Sequence, residues 1–291
     1  MKYFFLIFAI FVISNAQNRS SSYPYVTGDT FRAFVDHIID ETTHACRPEH
    51  IKKGDVIFLK TDYLAYFFSE IHPHIKDPYI LLTHNSDYSV PGNFAYFLDD
   101  PKLFAWFGQN TDRVHPKLFP VPIGLANQYW PHGNVNAVNQ GVNISHHDSK
   151  TIFLYINYSV NTSSKRTDEA LIALTRLQCA FVPARKLFEE YVVDLAHSIF
   201  VVSPPGNGLD CHRTWESLYL GAIPIVKRSS IESLFADLPV VIVDDWTEIT
   251  EERLMQIAVE YKNKQFCMSK IYADYWFSVL RNAQENCRKI N

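Results

Sequence analysis

A chain of 291 residues, 47% hydrophobic and 20% charged, has the material for one large or two modest folded domains and is not of a disordered composition. Its net charge of −4 gives no electrostatic footprint for nucleic acid or an anionic membrane surface. Aromatic residues reach 14%, and for any single ring a place in the core outweighs a place in a carbohydrate site.

In chain order, the first segment reads as a leader. Lys2 precedes an unbroken apolar run from Tyr3 to Ile13, and Ser14-Asn15-Ala16 offers small residues for cleavage, so residues 1–16 are expected to be a signal peptide and Gln17 the mature start. The run is shorter than the roughly 20 residues of a membrane span. An uncleaved type II anchor is the competing reading. No later segment is long and apolar enough to span, so the expectation is a protein of the secretory pathway lumen, or secreted, without a stable span after cleavage. Five cysteines (Cys46, Cys179, Cys211, Cys267, Cys287) are an odd set, and none has metal-site spacing. Cys267 and Cys287, flanking the last helical pattern, are the first pair to test. Asn18, Asn143, Asn157 and Asn161 begin glycosylation sequons, which at this asparagine content support a glycoprotein only weakly.

Alternating α and β patterns follow. Phe31 to Thr42 has helical spacing behind Asp29 and Thr30 as caps, and Tyr63 to Ile71 is a second helical pattern. Asp55 to Lys60, Tyr79 to Thr83, Leu103 to Phe107 and Phe119 to Ile123 read as strands of a first α/β half, residues 17–132. Residues 133–149 are polar, rich in Asn, Gly and His, and read as a linker in which His146 and His147, like His132 just before, are solvated. A second half, residues 150–265, has strands Thr151 to Ile156, Ile199 to Val202, Ile223 to Val226 and Val240 to Val243. Its helices are Thr167 to Leu177, Lys186 to Ala196, Ile231 to Phe235 and Glu251 to Lys262, with Thr250 as an N-cap. Residues 266–291 read as a closing helix. Two such halves imply two parallel sheets facing a cleft, with ligands at the carboxyl ends of the strands.

The chemistry concentrates after the strand Ile199 to Val202. Ser203 to Gly208 leaves the strand through two prolines and two glycines, Gly206 and Gly208, around Asn207. Asp210 stands at an N-cap position before a helix from Cys211 to Leu220, and Gly221 then Pro224 fits its stop. Arg213 and Glu216 share one face of that helix near its positive end. An arginine there opposes the helix dipole unless an anion is bound, which points to a phosphate. The bland alternative is a solvated Arg–Glu pair. Neither a dinucleotide fingerprint nor a P-loop is present.

The stretch Ile199 to Val226, with Pro205-Gly-Asn-Gly-Leu-Asp210, Arg213, Trp215-Glu216 and Gly221-Ala-Ile-Pro224, resembles the C-terminal signature of exostosin-type glycosyltransferases. His84-Asn-Ser-Asp87 and Val121-Pro-Ile-Gly124 are similar, more weakly, to segments of that family's first half. The resemblance implies a GT-B fold of two Rossmann-type α/β domains, with the C-terminal helix crossing back to the first. It also implies an inverting transfer, without metal or other cofactor, from a nucleotide sugar, usually UDP-linked, to a glycan or glycoprotein acceptor. Arg213 would contact the diphosphate and Glu216 the ribose, with Ser203, Gly206, Asn207 and Gly208 lining the donor. Arg166 matches a second arginine of the family, although Thr162-Ser-Ser-Lys165 before it lacks the family's usual glycine.

An inverting transfer needs a base on the acceptor side. Asp87 and then His84, after the strand Tyr79 to Thr83, are the candidates; the alternative is that Asn85-Ser-Asp87 only forms a turn. Asp99-Asp100 and Asp244-Asp245 lack Asp-x-Asp spacing, in keeping with no metal. A glycan-binding module without transfer, and a nucleotide-sugar hydrolase, are the competing functions.

Overall fold

The computed structural model describes residues 19–43, 46–159, 162 and 169–290. It contains two parallel five-stranded sheets. The first half holds α1 (Gly28–Arg32), β1 (His37–Ile39), β2 (Val56–Lys60), a short helical turn α2 (Leu64–Tyr66), β3 (Tyr79–His84), β4 (Leu103–Gly108) and β5 (Leu118–Pro120). Helix α3 (Val135–His147) leads into β6 (Ile152–Tyr155), α4 (Glu169–Leu174), β7 (Ala180–Phe181), α5 (Phe188–Ala196), β8 (Ser198–Val202) and α6 (His212–Tyr219). Strand β9 (Ile223–Lys227), β10 (Val241–Val243), α7 (Glu251–Lys262) and α8 (Ala273–Lys289) complete the chain.

The first sheet runs in sequential order, β1-β2-β3-β4-β5. Right-handed crossovers between parallel strands taken in sequence all fall on one face. Accordingly Ile57, Leu59, Leu81 and Trp106 pack against Phe67, Phe68, Ile71 and Phe97 from the crossovers. The opposite face, made of Val56, Phe58, Ile80, Leu82, Ala105 and Phe107, has no crossover of its own. It is covered by Tyr25, Val26 and Phe31, by Trp276 and Leu280 of α8, and by Trp215, Leu218 and Tyr219 of α6, all in one buried cluster. Helix α8 reaches back to the first half: Phe277 stacks on Phe34 at 4.0 Å, and Gln284 Nε2 donates to Asp36 at 3.0 Å.

The second sheet is ordered β10-β9-β8-β6-β7. Its first strand in sequence, β6, lies between β7 and β8, so the strand order reverses there. This is the doubly wound pattern, and the reversal is a topological switch point.

Four differences from the sequence reading have physical reasons. The expected helix Phe31 to Thr42 ends at Arg32; Thr27, whose hydroxyl accepts from Thr30 N at 2.9 Å, is its cap, and His37-Ile38-Ile39 instead pairs with β2 as an edge strand. The expected linker 133–149 is mostly the helix α3, capped by Asn134. Its composition is polar because only Ala137, Val138 and Gly141 are buried, and a Cβ at Gly141 would lie 2.4 Å from Val192 and 2.6 Å from Leu220. The closing helix begins at Ala273, after a tight turn Met268–Ile271, not at residue 266. Cys267 and Cys287 do not pair: α8 separates them by roughly 20 Å at 1.5 Å per residue, and the buried Cys287 thiol donates to Pro78 O at 3.5 Å. The leader and Arg166 lie outside the described residues. No helix among the described residues is long and apolar enough to cross a membrane.

Candidate functional site at the facing strand ends

The switch point of the second sheet opens between β6 and β8, and the chain after each strand supplies its walls. After β6 come Asn157 and Tyr158; after β8, residues 203–211 lead into α6. Arg213, in the first turn of α6, donates from Nε to Asn157 O at 3.0 Å and lies 5.6 Å from the Tyr158 ring. Its Nη1 is buried with no hydrogen-bond partner among the described residues. A buried guanidinium nitrogen left unmatched costs desolvation energy that an anion would offset.

Glu216 lies one turn along the same face, 5% exposed, and accepts from Tyr191 Oη of α5 at 2.8 Å. Burial pushes its carboxyl up to about 7, with the Tyr191 hydrogen bond and the Arg213 charge pulling the other way. A carboxyl raised toward neutral pH accepts from hydroxyl groups when ionised and can also donate to them when protonated. Ser203 is buried, with Oγ 2.8 Å from Thr214 Oγ1, so it braces the loop against α6. Gly206 is half-buried and Asn207 exposed.

The same loop joins the two sheets. Asn207 Nδ2 donates to Asp87 Oδ2 at 3.1 Å, across from the end of β3. Gly208 is required by the first half: a Cβ there would sit 2.4 Å from Asn110 Nδ2. Asp210 does not cap α6; Cys211 occupies the N-cap position without a side-chain bond. The Asp210 carboxylate instead accepts from Ile123 N at 2.8 Å, Cys211 N at 2.9 Å and Trp215 Nε1 at 2.8 Å, while Asp210 N donates to Asn110 Oδ1 at 2.9 Å. Burial raises it to about 7. His212 Nδ1 donates to Gly124 O at 2.8 Å, and burial holds this ring down at about 4. The carboxyl ends of both sheets thus meet at this loop.

On the first-half side, His84 and Asp87 differ sharply. His84 is 1% exposed, with Nε2 donating to Pro122 O at 3.0 Å and Nδ1 accepting from Asn85 N at 2.8 Å. Burial lowers it to about 4, so it is a neutral ring with both nitrogens in use at pH 7. Asp87 is exposed beside Asn207. Both line a cavity of about 240 Å³ at the carboxyl ends of β2, β3 and β4. No cluster of His, Cys, Asp and Glu suited to a metal ion occurs among the described residues.

The structure gathers Ser203, Arg213 and Glu216 around one switch point, and His84 and Asp87 around the facing strand end. Arg166 is outside the described residues. The sequence reading missed Tyr191, which holds Glu216, and Asn110, which receives the loop. A polar Gln109-Asn110 directly after an apolar strand was the only signal for the latter; for Tyr191, on a helix 25 positions before Glu216, there was none. No family model and no curated protein matches the chain, so the functional reading rests on its own residues.

Proposed function

We propose that the protein is a glycosyltransferase of the exostosin type, with the GT-B arrangement of two Rossmann-like domains, working in the secretory pathway. It takes a nucleotide sugar, UDP-linked, and gives the sugar to a glycan or glycoprotein with inversion. The observation that carries the reading is the buried Nη1 of Arg213, unmatched among the described residues, at the switch point of a doubly wound sheet, one helical turn from Glu216. Doubly wound sheets bind ligands at such crevices, and an arginine at a helix start favours an anion. Glu216, with Tyr191 behind it, supplies the hydroxyl-recognising group expected for a ribose.

In the transfer, Asp87 takes the proton of the acceptor hydroxyl, being exposed where His84 is buried and fully bonded. The freed oxygen attacks the anomeric carbon from the face opposite the diphosphate. The bond from that carbon to the phosphate oxygen breaks, and the electron pair leaves on the nucleoside diphosphate. Arg213 and the amino end of α6 hold that growing charge, so the residues present can stabilise the leaving group through fixed positive charge. The transfer tested directly would use a panel of UDP- and GDP-sugars, read by thermal shift and by release of free nucleotide. Stabilisation by UDP compounds is expected; no response to any nucleotide sugar refutes the proposal.

A further inference from the structure

The cavity at the end of the first sheet has a chemistry that the donor site does not explain. Gln109 borders it, is 2% exposed, and has an amide oxygen, Oε1, with no hydrogen-bond partner among the described residues. Asn85 also borders it; its Oδ1 accepts from Asn127 Nδ2 at 2.9 Å, and its amide is turned toward the buried Asp29 carboxylate, which it helps to hold down. The unmatched amide oxygen of Gln109 is uncharged, and it is complementary to a hydroxyl group, which can donate to it.

The charged groups of the lining do not call for an ionic ligand. Lys60 lies 3.3 Å from Glu41, Asp87 accepts from Asn207, and His84 and His212 are held neutral by burial while bonded to backbone carbonyls. An anion would meet no uncompensated cation here, in contrast to Arg213.

One lining residue is shared with a second recess. Trp130, 50% exposed, lines both the 240 Å³ cavity and a neighbouring cleft of about 500 Å³, whose other walls include Gln128, Pro131, Asn134 and Asn136. The inner cavity by itself falls below the roughly 300–1,000 Å³ of ligand sites, and the neighbouring cleft falls inside it. A half-exposed indole between two polar recesses gives an apolar face against which the C–H face of a sugar ring can lie, with its hydroxyls at the amides on either side.

We infer that this groove binds a neutral oligosaccharide of at least two sugars, its terminal ring in the inner cavity beside Gln109, Asn85 and Asp87, and the next ring across Trp130. As a statement about the acceptor it rests on the transferase reading; as a binding site it does not. Affinity therefore rises with chain length, and charge on the sugar is of no benefit.

The test titrates the full chain, without nucleotide, with xylose-, mannose-, galactose- and N-acetylglucosamine-based ligands from monosaccharide to tetrasaccharide, read by calorimetry and tryptophan fluorescence. At least one series should gain about tenfold in affinity from one sugar to two. Trp130→Ala should lose about tenfold for the longer ligands, the worth of one stacked ring, while Trp130→Phe retains most of it and UDP binding is unchanged in both. Flat affinity with length, equal binding by Trp130→Ala, tighter binding of uronic or sulfated sugars, preference for an unglycosylated serine peptide, or no binding by any sugar would each overturn the inference. UDP binding without oligosaccharide binding defeats this inference alone. Oligosaccharide binding without any nucleotide response defeats the transferase reading and leaves the groove.

Discussion

An arginine in the first turn of a helix works against the helix dipole, and at position 213 it also buries a nitrogen with no hydrogen-bond partner among the described residues. Arg213→Ala should therefore weaken UDP binding by roughly 1.5–3 kcal/mol, the worth of a charge-assisted hydrogen bond. Calorimetry showing unchanged UDP affinity would remove Arg213 from the proposed donor site. Asp87→Asn keeps the size and the exposed position but cannot take a proton, so turnover should vanish while UDP still binds. An active Asp87→Asn enzyme would mean that the base lies elsewhere. Glu216 gives a pH signature. Its carboxyl sits at about 7 in the folded chain against an ordinary 4.5, so the folded state holds the extra proton between those values. Its ionisation then costs stability progressively as pH rises through that window, and the full cost is reached above it. Glu216→Gln lacks this titration, so its urea midpoint should gain on that of the wild type from about pH 4.5 to pH 7. A difference that stays constant with pH would contradict the buried protonated carboxyl. The placing of Arg213 and Glu216 on one face of one helix was legible in the sequence because their spacing and the glycine turn are local. The roles of Asp210 and Tyr191 were not, because each is defined by a partner far away in the chain: Ile123 lies 87 positions from Asp210 and Glu216 lies 25 from Tyr191.

Among the elements, strands buried on both faces were the most legible, since continuous apolar runs such as Tyr79 to Thr83 have no solvated side to obscure them. Strand β1 and helix α3 were hidden for opposite reasons. Strand β1 is three residues held by pairing with β2, and α3 is a helix whose buried stripe is made of small residues. Helix α8 is the element on which the first sheet depends most, because it packs on the face that sequential crossovers leave bare. Leu280, 1% exposed in that contact, should cost about 2–5 kcal/mol when cut to alanine. Met255→Ala, at a site 56% exposed on α7, should stay within about 0.5 kcal/mol. Equilibrium urea unfolding distinguishes the two, and equal effects would mean that α8 does not bear on the core.

At the scale of the whole molecule, the two halves are not independent bodies joined by a strap. One buried cluster runs from Val56 and Ile80 of the first sheet through Trp215 and Tyr219 of α6 to Leu234 and Leu238 beyond β9. Val26 N donates to Tyr219 Oη at 3.1 Å, and Ser230 Oγ donates to Thr111 O at 2.5 Å, so polar contacts cross at the same boundary. Thermal unfolding followed by calorimetry should therefore show a single transition. Two separated transitions would indicate halves that fold alone. The sequence made the presence of two α/β halves legible through the repeated alternation of patterns, but not the core between them: apolar residues facing another half look the same as those facing their own.

The bare face of the first sheet ties the half made early to an element made late. Its five strands are complete by Pro120, yet the helix that covers one side of them ends only at Lys289. Until residues 273–289 have been made, that face lacks the part of its cover that Trp276 and Leu280 supply. The half that is made first is thus completed by a helix made after the second half.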